Sequence, residues 1–288
     1  MTFADAVRLG RVSNLPTVWT NALAGQALAG ALLPPAPLAL LLIAVSLAYV
    51  GGMYLNDAFD AEIDAKERPE RPIPSGRVSR ATVFACGYAM LAASVLGLGL
   101  TGWWTGNGLR AGAAGLALAL LIVLYNRRHK ENPLSPVVMG LCRVFVYVAA
   151  ALCVTDDPPA ALWVGAALLL CHLIGLTYLA KQETLGRVTN LWPLLFLAAP
   201  IVYGMAFIAS EQMAAFFWLA LLAATVAALF FAMRRRPGDI PRSVMTLIAA
   251  ISLLDALLIA GQAMAGLALA AALGFPATLA GQRFVRGT

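Results

Sequence analysis

The sequence predicts an all-α integral membrane bundle of nine transmembrane helices, one domain over residues 1–288. Three observations predict it. Of 288 residues, 61% are apolar and only 12% charged, against ~25% charged in soluble domains. Apolar stretches recur that reach the roughly 20 residues a membrane crossing requires. Basic residues crowd into alternate loops, as the positive-inside rule demands of a chain that weaves through a bilayer. Such a composition excludes a soluble globule, which needs charge over its whole surface, and a disordered chain, which needs low hydrophobicity.

The nine expected spans run roughly over 15–33, 36–56, 81–101, 109–125, 135–154, 159–180, 190–209, 214–233 and 243–272. The last is long enough to be tilted or to end in an interfacial piece. Turn chemistry separates them: Pro34-Pro35 with Pro37, Gly106-Asn107-Gly108, Asn132-Pro133, Asp156-Asp157-Pro158-Pro159 and Pro237-Gly238-Asp239. Proline and glycine stop helices for backbone reasons. Trp103 and Trp104 close the third span as amphipathic rings at an interface do. Glycine and alanine in spans three, four and nine suit close helix packing. Residues 1–10 lack a long apolar stretch, so no cleavable signal peptide is expected.

The cations set the orientation. The N-terminus (Arg8, Arg11) and the loops after spans two (Lys66, Arg68, Arg71, Arg77, Arg80), four (Arg127, Arg128, Lys130), six (Lys181, Arg187) and eight (Arg234, Arg235, Arg236, Arg242) carry 16 of the 20 basic residues. Arg110, Arg283 and Arg286 make three on the other side, and Arg143 lies inside span five. This asymmetry predicts a cytoplasmic N-terminus, cytoplasmic basic loops and an odd number of spans. In a bacterium the membrane would be the plasma or inner membrane. The net charge of +6 is then topology, and nucleic acid is not expected as a partner. Cys86, Cys142, Cys153 and Cys171 sit in apolar runs without a CxxC pair, which fits buried packing rather than disulfides or a metal cage.

Chemistry concentrates elsewhere. Six of the 14 acids lie between Asp57 and Glu70. If the helix of span two continues, Asn56, Asp57, Asp60 and Asp64 share an arc of about 100°, with Glu62 opposite. Stacked carboxylates repel one another near a membrane, and a hard divalent cation removes that repulsion. Mg²⁺ takes one or two carboxylates plus phosphate oxygens and waters, so the arc reads as a Mg²⁺ site built to hold a diphosphate. The competing reading is a solvated helix end whose acids pair with nearby cations. A proline-stiffened basic loop follows, from Lys66 to Arg77, and supplies guanidinium forks for phosphate.

Asn56-Asp57-x-x-Asp60-x-x-x-Asp64 followed by Arg71-Pro72-Ile73-Pro74-Ser75-Gly76 resembles the first aspartate-rich motif of the UbiA superfamily of intramembrane prenyltransferases. The resemblance extends to the nine-span topology and to the segment Arg11-Val12-Ser13-Asn14-Leu15-Pro16-Thr17, whose Asn14 would face the site. It also covers Tyr125 with Lys130 after span four. It implies an isoprenyl diphosphate whose tail lies in a lipid-open cavity, Mg²⁺ gripping the diphosphate, and a lipophilic, often aromatic, acceptor attacking an allylic carbocation. On this resemblance Asn56, Asp57, Asp60 and Asp64 hold metal with Asn14 assisting, and Arg71, Lys130, Lys181 and Arg143 contact diphosphate. Membrane lipid is the surrounding partner.

The sequence departs from the family at its second motif, where two aspartates are expected at the end of span six. Tyr178-Leu179-Ala180-Lys181-Gln182-Glu183-Thr184-Leu185-Gly186-Arg187 holds one acid, Glu183. Four readings stay open. Lys181 and Arg187 contact the diphosphate in place of a metal, with Glu183 orienting one of them or binding the remaining Mg²⁺. A different donor or acceptor needs only one metal cluster. Transfer is lost and the protein binds or carries a prenyl lipid. Lys181 and Arg187 are ordinary loop cations.

Four further residues stand out. Arg143 and Asp255 are charges within spans, where a partner or a cavity-facing role is the default. His172 reads as a hydrogen-bonded core residue, and His129 as a loop residue near the headgroups.

Overall fold

A computed structural model describes residues 1–129, 132–181, 192–234 and 236–285. The described residues are helical, in the order α1 Phe3–Gly10, α2 Leu15–Leu28, α3 Pro35–Glu67, α4 Arg80–Trp104, α5 Arg110–Arg128, α6 Ser135–Leu152, α7 Ala160–Lys181, α8 Ala198–Gly204, α9 Gln212–Arg234, α10 Asp239–Ala260, α11 Ala265–Ala272 and α12 Gly274–Gln282. Short 3-10 turns precede α2 at Val12–Asn14 and flank α8 at Trp192–Leu197 and Met205–Phe207. Among the described residues, eight helical stretches are long and apolar enough to cross a membrane. Two shorter apolar segments, α2 and Trp192–Phe207, also run between the two ends of the bundle. α2 starts beside the acids and its Leu28 reaches Gly165 near the start of α7; Leu197 packs on Gly175 and Phe207 on Gly261.

The continuity of α3 is the feature that positions the site. Its 33 residues carry the helix from Pro35 straight through the acidic tract to Glu67. Pro35 and Pro37 sit in the first turn, where a missing N–H costs nothing. Beyond the helix, the loop folds back through hydrogen bonds such as Val78 N to Pro72 O (3.2 Å) and Ser75 N to Arg71 O (3.0 Å). α1 is an amphipathic helix capped by Thr2, which exchanges hydrogen bonds with Asp5. The Thr2 hydroxyl, opposed by burial and helped by Arg77 at 3.2 Å, holds the Asp5 carboxyl below its usual value.

α10 is the buried centre: every residue from Ala249 to Ala260 is buried. Small residues set the helix spacing, as expected where lipid offers no hydrophobic drive between helices. A Cβ on Gly25 of α2 would stand 2.5 Å from the Tyr147 carbonyl oxygen of α6, and one on Gly51 of α3 would stand 2.9 Å from the Gly87 carbonyl oxygen of α4.

The C-terminal third differs from the sequence expectation. The stretch 243–272 is not one helix. It turns at Gly261–Met264, with Ala263 at φ +58° and hydrogen bonds from Ala263 N to Ala260 O and Met264 N to Ile259 O. No proline marks this turn, so hydropathy runs through it unbroken. α11 and α12 then return along α10, and Gln282 Nε2 donates to Asn14 Oδ1 at 3.0 Å. Arg283 therefore joins the basic end of the bundle rather than the side of Arg110. Arg286 lies outside the described residues.

Two outcomes test this packing. Gly25→Ala forces the α2–α6 contact apart and should cost about 1–3 kcal/mol, read as a lower Tm in detergent. In sealed vesicles, cysteines introduced by Arg283→Cys and Glu70→Cys should react with an impermeant maleimide from one face, and that from Arg110→Cys from the other. Labelling of the first two from opposite faces would refute the return of α12.

Candidate active site at the acidic end of the bundle

Because α3 stays helical, the acids line one arc, and they are buried: Asp57 is 6%, Asp60 8% and Asp64 4% exposed. Buried carboxylates need compensation, and two guanidiniums provide it. Arg71 bonds Asp64 at 2.7 Å and reaches Asp57 at 3.5 Å. Burial pushes the Arg71 pKa down, but Asp57 and Asp64 outweigh it and hold the value above normal. Arg11 pairs with Asp57 at 3.0 Å and donates to Asn56 Oδ1 at 3.4 Å. It does so from the left-handed residue (φ +41°) that ends α1. Asp60 faces His129 Nε2 at 3.4 Å, and the His129 ring stacks on Tyr125 with centroids 5.0 Å apart. Asn56 donates to Asn126 Oδ1 at 3.2 Å, and Asn126 in turn donates to the Gly52 carbonyl.

Next to this cluster lies a cavity of about 240 Å³. Arg11 belongs to both: it pairs with Asp57 and lines the cavity. Tyr125, Asn126, Asn14 and Tyr49 are the other polar groups at this end. Apolar side chains of α2, α3, α5, α6, α7 and α10 form most of the wall, among them Val18, Leu118, Val146, Leu173 and Ile251. Asn14 donates to the Tyr49 hydroxyl at 3.2 Å and accepts from Gln282. Arg143 reaches the same cavity from α6.

The sequence-named residues thus fall into three groups. Asn14, Asn56, Asp57, Asp60, Asp64, Arg71 and Tyr125 gather at one end, and Arg143 stands deeper in the cavity wall. Lys181 does not line the cavity; its ammonium donates to Ser135 Oγ at 2.8 Å and to the Asn132 carbonyl at 3.2 Å. It ties α7 to the start of α6. Lys130, Glu183 and Arg187 lie outside the described residues. Arg11, Tyr49, Asn126 and His129 were not singled out for this site. The only signals for them were Arg11 inside the segment that resembles the family and Asn126 beside Tyr125. His129 sits in the turn that ends α5, and its ring stacks on Tyr125 and faces Asp60. His172 is the expected core histidine, with Nε2 on the Leu247 carbonyl at 2.9 Å. Asp255 accepts from Thr20, Asn21 and the Tyr147 hydroxyl, partners that hydropathy could not name.

Among the described residues, no three His, Cys, Asp or Glu side chains stand close enough to hold a metal as arranged. The donor chemistry nevertheless fits Mg²⁺: three carboxylates and an amide oxygen, all hard, along one helix arc. A guanidinium now bridges two of those carboxylates. Removing it takes the 2.7 Å guanidinium partner from Asp64 and leaves Asp57 with Arg11, so Arg71→Ala should cost about 2 kcal/mol, read as a lower Tm. Millimolar Mg²⁺ should recover more of the loss in the variant than it adds to the native protein. Equal Mg²⁺ responses would show that these acids are not a cation site.

The profile of the UbiA prenyltransferase family matches residues 17–185. A Methanopyrus kandleri protein named digeranylgeranylglyceryl phosphate synthase is 36% identical over 176 residues, which are 58% of this chain and 59% of that protein. The match therefore spans less than two thirds of the relative's length. In fold, the chain is similar to the apo structure of a UbiA homologue from Aeropyrum pernix K1, with TM-score 0.68 at 17% identity over 86% of this chain and 96% of that one. It is also similar to a solved structure of a digeranylgeranylglyceryl phosphate synthase, with TM-score 0.62 at 15% identity over 90% of this chain and 97% of that one. With more than half of its length inside the family profile, the chain belongs to the UbiA prenyltransferase family.

Proposed function

We propose that this protein is a membrane prenyltransferase that moves an isoprenyl group from an isoprenyl diphosphate to a lipophilic acceptor, with Mg²⁺. The observation that carries this is the junction at Arg11. Buried acids and guanidiniums, the chemistry that grips a diphosphate, meet an apolar cavity, the chemistry that holds a prenyl chain. The matched relative's name, a glyceryl phosphate synthase, supports a lipid acceptor. The basic end of the bundle would face the cytoplasm.

Asp57, Asp60 and Asp64, with Asn56 oxygen, would hold the metal, with Asn14 assisting from the cavity wall. Bound there, Mg²⁺ supplies charge stabilisation to the departing diphosphate. Arg71 and Arg11 need only turn from carboxylate to phosphate oxygens, since guanidinium forks fit both bidentately. Cleavage of the C–O bond leaves the electron pair on diphosphate and an allylic cation on the prenyl carbon, which the acceptor's nucleophile attacks with loss of a proton. The apolar wall excludes water that would otherwise quench the cation. Tyr125 and Tyr49 present aromatic faces in the same space and would favour a cation electrostatically.

The second reading is a protein of this fold that binds or carries a prenyl lipid without transfer. The engagement of Lys181 with loop oxygens favours it, because that cation is not offered to a diphosphate. Turnover separates the two. Purified protein with Mg²⁺ and a panel of isoprenyl diphosphates and acceptors should release diphosphate. Asp60→Ala should lower that rate about 10²–10³-fold. Donor binding without release under any acceptor would favour the carrier reading.

A further inference from the structure

The two segments that carry Arg11 and Arg71 onto the acids are also fastened to each other. Asp5 lies six residues before Arg11, in the first turn of α1, and Arg77 lies six residues after Arg71, at the far end of the loop. The Asp5 carboxylate is 4% exposed and uses both oxygens. Its Oδ2 accepts from Thr2 N at 3.2 Å and from Thr2 Oγ1 at 2.7 Å, and its Oδ1 pairs with Arg77 Nε at 3.2 Å. Another nitrogen of the same guanidinium donates to the Glu70 carbonyl at 2.9 Å. Arg77 therefore closes the loop onto itself next to Arg71 and ties the closed loop to α1. Gly76, at φ +74°, supplies the left-handed residue that turns the chain back before Arg77.

The Thr2 cap alone would satisfy the start of α1, yet it leaves the other Asp5 oxygen buried and charged. Such an oxygen needs a cation, and the loop after α3 provides it. The consequence reaches the site, because Arg11 on one segment and Arg71 on the other pair with the same carboxylate, Asp57, at 3.0 and 3.5 Å. A ligand that engages both guanidiniums must find both segments ordered. Ordering them separately costs conformational entropy twice, whereas a join already made in the folded protein lowers that cost at the moment of binding.

We infer that Asp5 and Arg77 are positioning residues for the diphosphate. They clasp α1 and the loop after α3 into one cover, so that Arg11 and Arg71 stand over the acids together and meet a diphosphate together. The inference rests on the reading of the acidic end as a diphosphate site.

The test reads binding without turnover. Purified protein is titrated with inorganic diphosphate at fixed Mg²⁺, with no prenyl donor or acceptor. Asp5→Asn removes a negative charge near an anion site, which by charge alone tightens diphosphate; with the clasp broken it should instead weaken it about 3- to 10-fold. Arg77→Gln should weaken it by a similar factor, the double variant should lose no more than either single one, and Arg77→Lys should bind more tightly than Arg77→Gln. Unchanged or tighter diphosphate in Asp5→Asn, or losses that multiply in the double variant, would overturn the inference. Hydrogen exchange decides it without diphosphate. Arg77→Gln, a change in the loop, should speed amide exchange over residues 3–10 as well as 68–78; faster exchange confined to the loop would overturn the clasp. A native protein that binds no diphosphate is a separate result, the failure of the diphosphate reading.

Discussion

Three carboxylates on one arc of a helix cannot be buried without cations, and that constraint organises the end of the bundle where they stand. Arg71 and Arg11 reach the acids from opposite directions in sequence, one from the loop after α3 and one from the turn before α2. The loop must fold back over the helix end to deliver Arg71, and α1 must end in a left-handed residue to deliver Arg11. An apolar cluster of Leu9, Ile73 and Val78 against Tyr54, Ala58 and Val83 seats both segments on α3 and α4, and the ion pairs to the acids fix where their guanidiniums point. On the proposed transfer, the same guanidiniums that compensate carboxylates here would compensate phosphates.

A second polar system runs down the inside of the bundle. Gln282, Asn14 and Tyr49 lead from the acidic end to Arg143, and Thr17, Asn21, Thr20, Tyr147 and Asp255 continue into the α2–α6–α10 core. Nearly every donor in it has an acceptor, which is the condition for a buried network to specify structure rather than weaken it. It also explains the close contact at Gly25. α2 and α6 must approach closely for Asn21 to meet Arg143, and only a residue without a Cβ permits that beside the Tyr147 backbone. The last helix belongs to this system as well, since Gln282 holds the side of Asn14 that Tyr49 does not.

The acidic tract was legible because its spacing is a helical period: Asp57, Asp60 and Asp64 share a face only if the helix continues, and it does. Arg71 was legible because it follows within a stiff basic loop. Arg11 and Asn126 were not, because their bonds to Asp57 and Asn56 bridge some 46 and 70 residues of sequence and no local pattern encodes such distances. Lys181 carried the right charge at the end of α7, yet its ammonium donates to oxygens of His129, Asn132 and Ser135, between the end of α5 and the start of α6. The turn at Gly261–Met264 was hidden for another reason. Small apolar residues suit a membrane helix and a turn packed against Phe207 equally well, and hydropathy cannot separate them.

By itself, then, the sequence determined the class of the molecule, the helical acidic arc and its chemistry, since composition, apolar length and periodicity are properties of adjacent residues. Tertiary structure alone decided which cations meet those acids, where Asp255 finds its partners, that Arg143 lines the cavity, and that the C-terminal helix returns to Asn14. These are contacts between distant parts of the chain. Their energies come from pairing buried polar groups, which exists only once the helices have packed.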